Sequence, residues 1–176
     1  MRFYNIKDEY IQYLRKYDNR VAENKKGTRP YVGIVFEINH IKYYAPFSSP
    51  KPKHLKMKNS KDFRKINQGK YGAINFNNMI PVIDDAIVEI DIKNIVDEKY
   101  KRLLQNQYNY IRADKSQIMK VAKKLHKITF SNNSELSKYD RMVKVRTCNL
   151  PLLERIYDKY KPCRLNMNSF SENNGG

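Results

Sequence analysis

Residues 31–54 read "YVGIVFEINHIKYYAPFSSPKPKH". Tyr31 to Ile38 are almost continuously apolar and β-branched, which predicts a buried strand. Asn39-His40 makes a tight turn, although it lacks the glycine that would make the signal strong. "IKYYAPF" (41–47) then returns as the partner strand, so the stretch predicts an antiparallel hairpin. Pro46 has no amide hydrogen for a ladder and is expected at a strand end or edge. Ser48 and Ser49 therefore come where the sheet releases the chain. Pro50, Lys51, Pro52, Lys53 and His54 follow at once.

Outward from the hairpin, "RFYNI" (2–6) reads as a short strand and "DEYIQYLRKYD" as a helix. Tyr10, Ile11, Leu14 and Tyr17 share one face of that helix. "NRVAENKKGTRP" is a polar loop. The chain from Ser48 to Lys70 is basic and irregular, and "YGAINFNNMIPV" and "AIVEIDI" are two more strands. From Asp97 the apolar period changes. "EKYKRLLQNQYNYIRAD", "KSQIMKVAKKLHKI" and "LPLLERIYDKY" read as helices, with "SNNSELSKYDR" as loop or short turn. Strands come mainly first and helices second, which predicts an α+β fold with an antiparallel sheet. One domain over 1–161 is expected, with 162–176 as a fraying tail.

Thirty-five Lys and Arg stand against 18 Asp and Glu, a formal charge of +17. That excess favours a polyanion, with nucleic acid the first candidate, over a merely solubilising surface. Fourteen Tyr, 7 Phe and no Trp suit stacking on unpaired RNA bases. Most of these rings are nonetheless expected in the core. No apolar run approaches the roughly 20 residues of a membrane span, and the N-terminus lacks a signal-peptide core. Cys148 and Cys163 form no metal-ligand spacing and no disulfide framework, which places the chain in the cytosol. Neither a nucleotide-binding glycine motif nor a zinc motif is present, and no cofactor or catalytic metal is expected.

RNA can be cut without metal when its own 2′-hydroxyl attacks phosphorus. The protein must then remove that proton, stabilise phosphate charge and protonate the leaving oxygen. Ser48, Ser49 and Lys51 can contact phosphate, and His54 is the nearby group that titrates near neutrality. Read blandly, Ser-Ser-Pro is a common turn and loop lysines are solvated. His40 and His126 suit structural roles, and Asp84 and Asp85 make no evident acid/base pair. A serine-hydrolase reading is weaker, since there is no GxSxG elbow.

The segments "FYNIKDEYIQYLRKYDNRV", "RPYVGIVFEI", "KYYAPFSSPKPKH", "INFNNMIPV", "YKRLLQNQYNYIRAD" and "TCNLPLLE" follow one another as in the ToxN/AbiQ family. These are toxins of type III toxin–antitoxin systems, and the chain resembles the AbiQ-like branch most. The resemblance implies a metal-independent endoribonuclease acting in phage abortive infection and leaving a 2′,3′-cyclic phosphate. It also implies a MazF/Kid-like core. The implied partner is a tandem-repeat pseudoknot RNA antitoxin that the toxin processes and that inhibits it, in an RNA-bridged oligomer. Cellular or phage RNAs are the implied substrates. The family's [Ser/Thr]-Ser-Pro-Lys segment falls on Ser48-Ser49-Pro50-Lys51, so Ser49 is the key hydroxyl with Ser48 and Lys51 beside it. Arg29 matches a basic position before the "GIV" strand. For RNA binding the expected residues are Lys42, Tyr44, Lys53, His54, Lys56, Lys58, Lys61, Arg64, Lys65, Lys101 and Arg102. The alternative is a non-catalytic RNA-binding protein that uses the same groove.

Overall fold

The computed structural model describes residues 2–24 and 30–162, with backbone only at 32–35. Among the described residues seven strands form one antiparallel sheet: β1 (Phe3–Ile6), β2 (Tyr31–Ile38), β3 (Ile41–Ser48), β4 (Phe63–Lys65), β5 (Ala73–Asn75), β6 (Ile80–Pro81) and β7 (Ile87–Glu89). The order is β4-β5-β3-β2-β1-β7, and β6 also pairs with β3. Among the described residues six α-helices complete the fold: α1 (Asp8–Arg15), α2 (Pro52–Lys56), α3 (Glu98–Ala113), α4 (Lys115–Phe130), α5 (Lys138–Arg146) and α6 (Leu150–Ile156). The α+β class and the antiparallel sheet agree with the sequence reading. Among the described residues no helix is long and apolar enough to cross a membrane. Residues 163–176, with most of the expected tail and Cys163, lie outside the described residues.

The β2–β3 hairpin is the centre of the sheet. Its turn residues Asn39 and His40 have φ of 49° and 63°. Both central positions are left-handed, which matches the right-handed twist of the strands; Asn tolerates this well without a glycine. A bulge in β2 separates the pairs Val32↔Ala45 and Phe36↔Tyr43.

Pro46 corrects the expectation of a strand end or edge. It is buried inside β3, opposite Tyr31. Along the side of β3 away from β2, Tyr43 and Tyr44 pair with β6, whereas Phe47 and Ser48 pair with β5. The Lys42 carbonyl accepts from Val82 on that side, and the Phe47 amide donates to Pro30 on the other. By strand alternation the Pro46 nitrogen faces the gap where β6 has ended and β5 has not begun. No ladder hydrogen is required there.

One apolar cluster runs from Phe3 to Ile156. Tyr10, Tyr31, Tyr43 and Tyr44 are among its largest fully buried side chains, and Tyr4, Tyr13, Tyr71, Tyr108, Tyr110 and Tyr160 pack half-buried against it, so most tyrosines join the core as expected, though six only in part. Tyr43 donates to the Glu154 carboxylate on α6, and His126 of α4 lies 2.8 Å from the same oxygen. His126 thus has the structural role read for it.

Candidate active site

Ser48 ends β3 and Ser49 follows it directly, and consecutive residues of extended chain face opposite ways. They line different cavities. Ser49 borders a cavity of about 430 Å³ together with Asn5, Pro30 and Phe47 of the sheet side and Tyr100, Leu103 and Gln107 of α3. Ser48 borders a second cavity of about 320 Å³ with Lys51, Lys53, His54, Asn75 and Arg146. Ser49, Pro50 and Lys51 are exposed, so this corner of the chain forms a ridge between two depressions.

The ridge is held from beneath. Between β4 and β5 the chain turns tightly: the Ile66 amide donates to Gly72 at 2.9 Å and the Tyr71 amide returns to Ile66. Asn67, Gln68, Gly69 and Gly72 all have positive φ. A Cβ on Gly72 would overlap the Ser48 carbonyl oxygen, and one on Gly69 would lie 2.6 Å from that of His54. These glycines let the turn press against both halves of the Ser48–Leu55 segment, at φ of +90° and +97° that only glycine adopts freely. A Gly72→Ala variant is expected to lose about 2 kcal/mol of stability or more, through strain and displacement of the strand end. Urea unfolding checks this; wild-type stability would show that the turn is not a support.

In the second cavity, Asn75 Nδ2 donates to Ser48 Oγ at 2.6 Å. The Asp62 carboxylate is fully engaged, accepting from Arg146 Nε and Nη2 and from Ser60. Burial pushes the Asp62 carboxyl up, but these bonds outweigh it and hold it below the usual carboxylate range. His54 is only 2% exposed and packs at 5.8 Å from the Phe63 ring. Its Nδ1 is buried without a partner. Burial first, then Lys53 and Lys51, lowers its pKa below the ordinary imidazole value.

The profile of the family described as "Toxin ToxN, type III toxin-antitoxin system" matches residues 2–158. The chain belongs to the ToxN toxin family. Endoribonuclease ToxN of Pectobacterium atrosepticum is 31% identical over 167 residues, covering 89% of this chain and 92% of the relative. Endoribonuclease AbiQ of Lactococcus lactis subsp. lactis is 32% identical over 126 residues, 64% of this chain and 67% of the relative. A solved structure, described as showing selective toxin inhibition by a non-coding RNA pseudoknot, superposes with a TM-score of 0.80. It is 32% identical and covers 92% of this chain and 98% of its own.

Within this ToxN family member the expected site residues divide. Ser48, Ser49, Lys51, Lys53 and His54 share the ridge and its walls, and Lys56 and Lys58 are exposed just beyond. Arg29 lies outside the described residues, but Pro30, the next residue, lines the Ser49 cavity. Tyr44 corrects the expectation of a base-stacking ring: it is 1% exposed and packs edge-on against Tyr4. Lys42, at the far end of β3, is roughly 20 Å along the strand from Ser48 and binds Asp84 at 2.7 Å.

Arg64 and Lys61 are occupied with structure. Arg64 makes a two-pronged pair with Asp114 between α3 and α4, and Lys61 pairs with Asp140 of α5. Lys65 reaches the Leu55 carbonyl only at 3.5 Å. Lys101 pairs with Glu98 within α3, and Arg102 beside it is exposed. Sequence reasoning missed Asn75, Asp62, Arg146 and the glycine turn. The signals present were the positions of Gly69 and Gly72 between two strands, and Ser137-x-x-Asp140 as the N-terminal cap of α5.

Proposed function

We propose that the protein is a metal-independent endoribonuclease toxin that cleaves RNA at the Ser49–Lys51 ridge. The observation that carries this is an exposed hydroxyl and cation fixed by a rigid turn between two cavities, at the segment where the family resemblance puts its site. In this reading the substrate's 2′-oxygen attacks phosphorus, and Ser49 donates to a non-bridging oxygen. The Lys51 ammonium offsets the added negative charge of the phosphorane and assists the departing 5′-oxygen. The 2′-proton passes to solvent water as the 2′-oxygen–phosphorus bond forms, and the P–O5′ bond breaks as the 5′-oxygen takes a proton from the Lys51 ammonium, leaving a 2′,3′-cyclic phosphate and a 5′-hydroxyl. On the family resemblance Arg29 supplies a second cation. Ser48 is turned to the other cavity.

The inhibitor in this reading is a tandem-repeat RNA folded as pseudoknots, which the toxin also processes and which bridges toxin copies. The pseudoknot inhibition described for the structural relative supports it. The curled antiparallel sheet with helices supports a MazF/Kid-like core. Cellular or phage RNAs are the substrates, in the cytoplasm, and the outcome is abortive infection. The test is incubation of purified protein with RNA and a chelator, with end-group analysis of the fragments. Cleavage that survives chelation and leaves cyclic phosphate ends is expected. Binding without cleavage would replace the enzyme with an RNA-binding protein.

Lys53, Lys56 and Lys58 extend the basic surface from the ridge. A Lys56→Glu, Lys58→Glu variant is expected to bind repeat RNA more weakly. Its salt slope should fall by about 0.7 for each phosphate of a single-stranded segment that the variant no longer neutralises. It should also be more toxic than wild type when the repeat RNA is co-expressed. Unchanged affinity and slope in titrations at two salt concentrations would place the groove elsewhere.

A further inference from the structure

Apart from Lys51, the second cavity is lined by groups that the ridge does not use. Its charged lining is cationic apart from Asp62, and both oxygens of Asp62 are taken by Arg146 and Ser60. Asn75 donates to Ser48 Oγ, so that oxygen acts as acceptor and its own proton is free to be given to a ligand. His54 borders the same space, is 2% exposed, and has no side-chain hydrogen bond among the described residues. Its buried Nδ1 has no partner; an orphaned N–H in the interior is costlier than a bare lone pair. The proton therefore belongs on Nε2, which makes the imidazole a donor.

We propose that this cavity is a subsite for an RNA phosphate other than the scissile one, and that His54 serves in it as a neutral Nε2–H donor rather than as acid or base. Ser48 gives a second hydrogen bond, Lys53 supplies the net charge, the Arg146 charge being balanced by Asp62, and Asn75 is the positioning residue that aims the Ser48 proton. The inference rests on the RNA-cleaving reading for the identity of the ligand. Successive phosphates of one strand would then lie on either side of the ridge. The strand would be drawn across Ser49, which fixes the attacking 2′-oxygen relative to phosphorus.

The test is nitrogen-15 NMR of the histidine rings in the full chain. It is titrated first with inorganic phosphate and then with an eight-nucleotide 2′-O-methyl RNA of random sequence. The expected result is a neutral Nε2–H tautomer at pH 7 whose Nε2 signal shifts saturably with both. An Nδ1–H tautomer overturns the donor role. A shift with phosphate but none with RNA means an adventitious ion only and overturns the subsite, as does no shift with either. In parallel, His54→Ala should bind this RNA about tenfold more weakly, the scale of one hydrogen bond to a charged group. His54→Gln, whose amide can reach a similar point, should recover most of that. Equal weakening in both variants would count against the donor role. Cleavage of unmodified RNA by the same preparation separates the two readings. An inactive protein with an RNA-dependent shift refutes the nuclease and keeps the subsite, whereas an active protein without a shift loses the subsite alone.

Discussion

A Ser49→Ala variant produced at wild-type level is expected to leave growth unaffected. Its RNA cleavage should fall by about a hundredfold, the scale for removing one donor aimed at developing oxyanion charge. Ser49 is exposed at the strand end, so the change removes no core packing. Stability should stay within about 0.5 kcal/mol of wild type. Thermal unfolding and growth arrest measured on the same variant separate the two effects. Arrest of growth by a folded Ser49→Ala protein would take this hydroxyl out of the mechanism.

Lys51→Ala is expected to cost as much, and clearly more than His54→Ala. Lys51 is an exposed cation on the ridge, free to follow charge as it forms. His54 is buried, and the groups facing it are Lys51 and Lys53 from its own segment, Phe63, and the Arg146–Asp62 pair from across the cavity. Burial and the two lysines disfavour its charged form. As pH falls, the ring therefore stays neutral through the ordinary imidazole value of about 6.5 and takes up its proton only below it. The pH–rate profile should show no limb near 6.5 that disappears in His54→Ala. Such a limb, with His54→Ala the more damaged variant, would make His54 the acid or base and demote Lys51.

The parts of this molecule written in local chemistry could be read from its residues. The hairpin follows from two apolar β-branched runs, α3 and α4 from their repeating apolar faces, and the exposed Ser49-Pro50-Lys51 corner from prolines after a strand. What escaped depends on partners distant in the chain. Pro46 is tolerated inside β3 because of where β5 and β6 stop, and neither stop is marked near Pro46. Helix α5 buries only Val143, so its period is faint and its polar lead-in reads as loop. Tyr44 and Arg64 resemble RNA contacts in sequence, yet one packs inside the sheet and the other is held by Asp114. Gly72 is an ordinary turn glycine until the Ser48 carbonyl is seen lying against it.

The Asp62–Arg146 pair joins a wall of the second cavity to the far end of the chain. Arg146 leaves the ribosome roughly 100 residues after Ser48, which at ordinary elongation rates of about 5–20 residues per second is about 5–20 s. During that interval the serines and lysines already exist, but the cavity lacks its Arg146 side and Asp62 lacks its counter-ion. The nascent toxin thus cannot assemble this wall while most of it is being made. For a protein whose target would be RNA, that delay keeps a half-made copy from finishing the cavity beside the very message that encodes it.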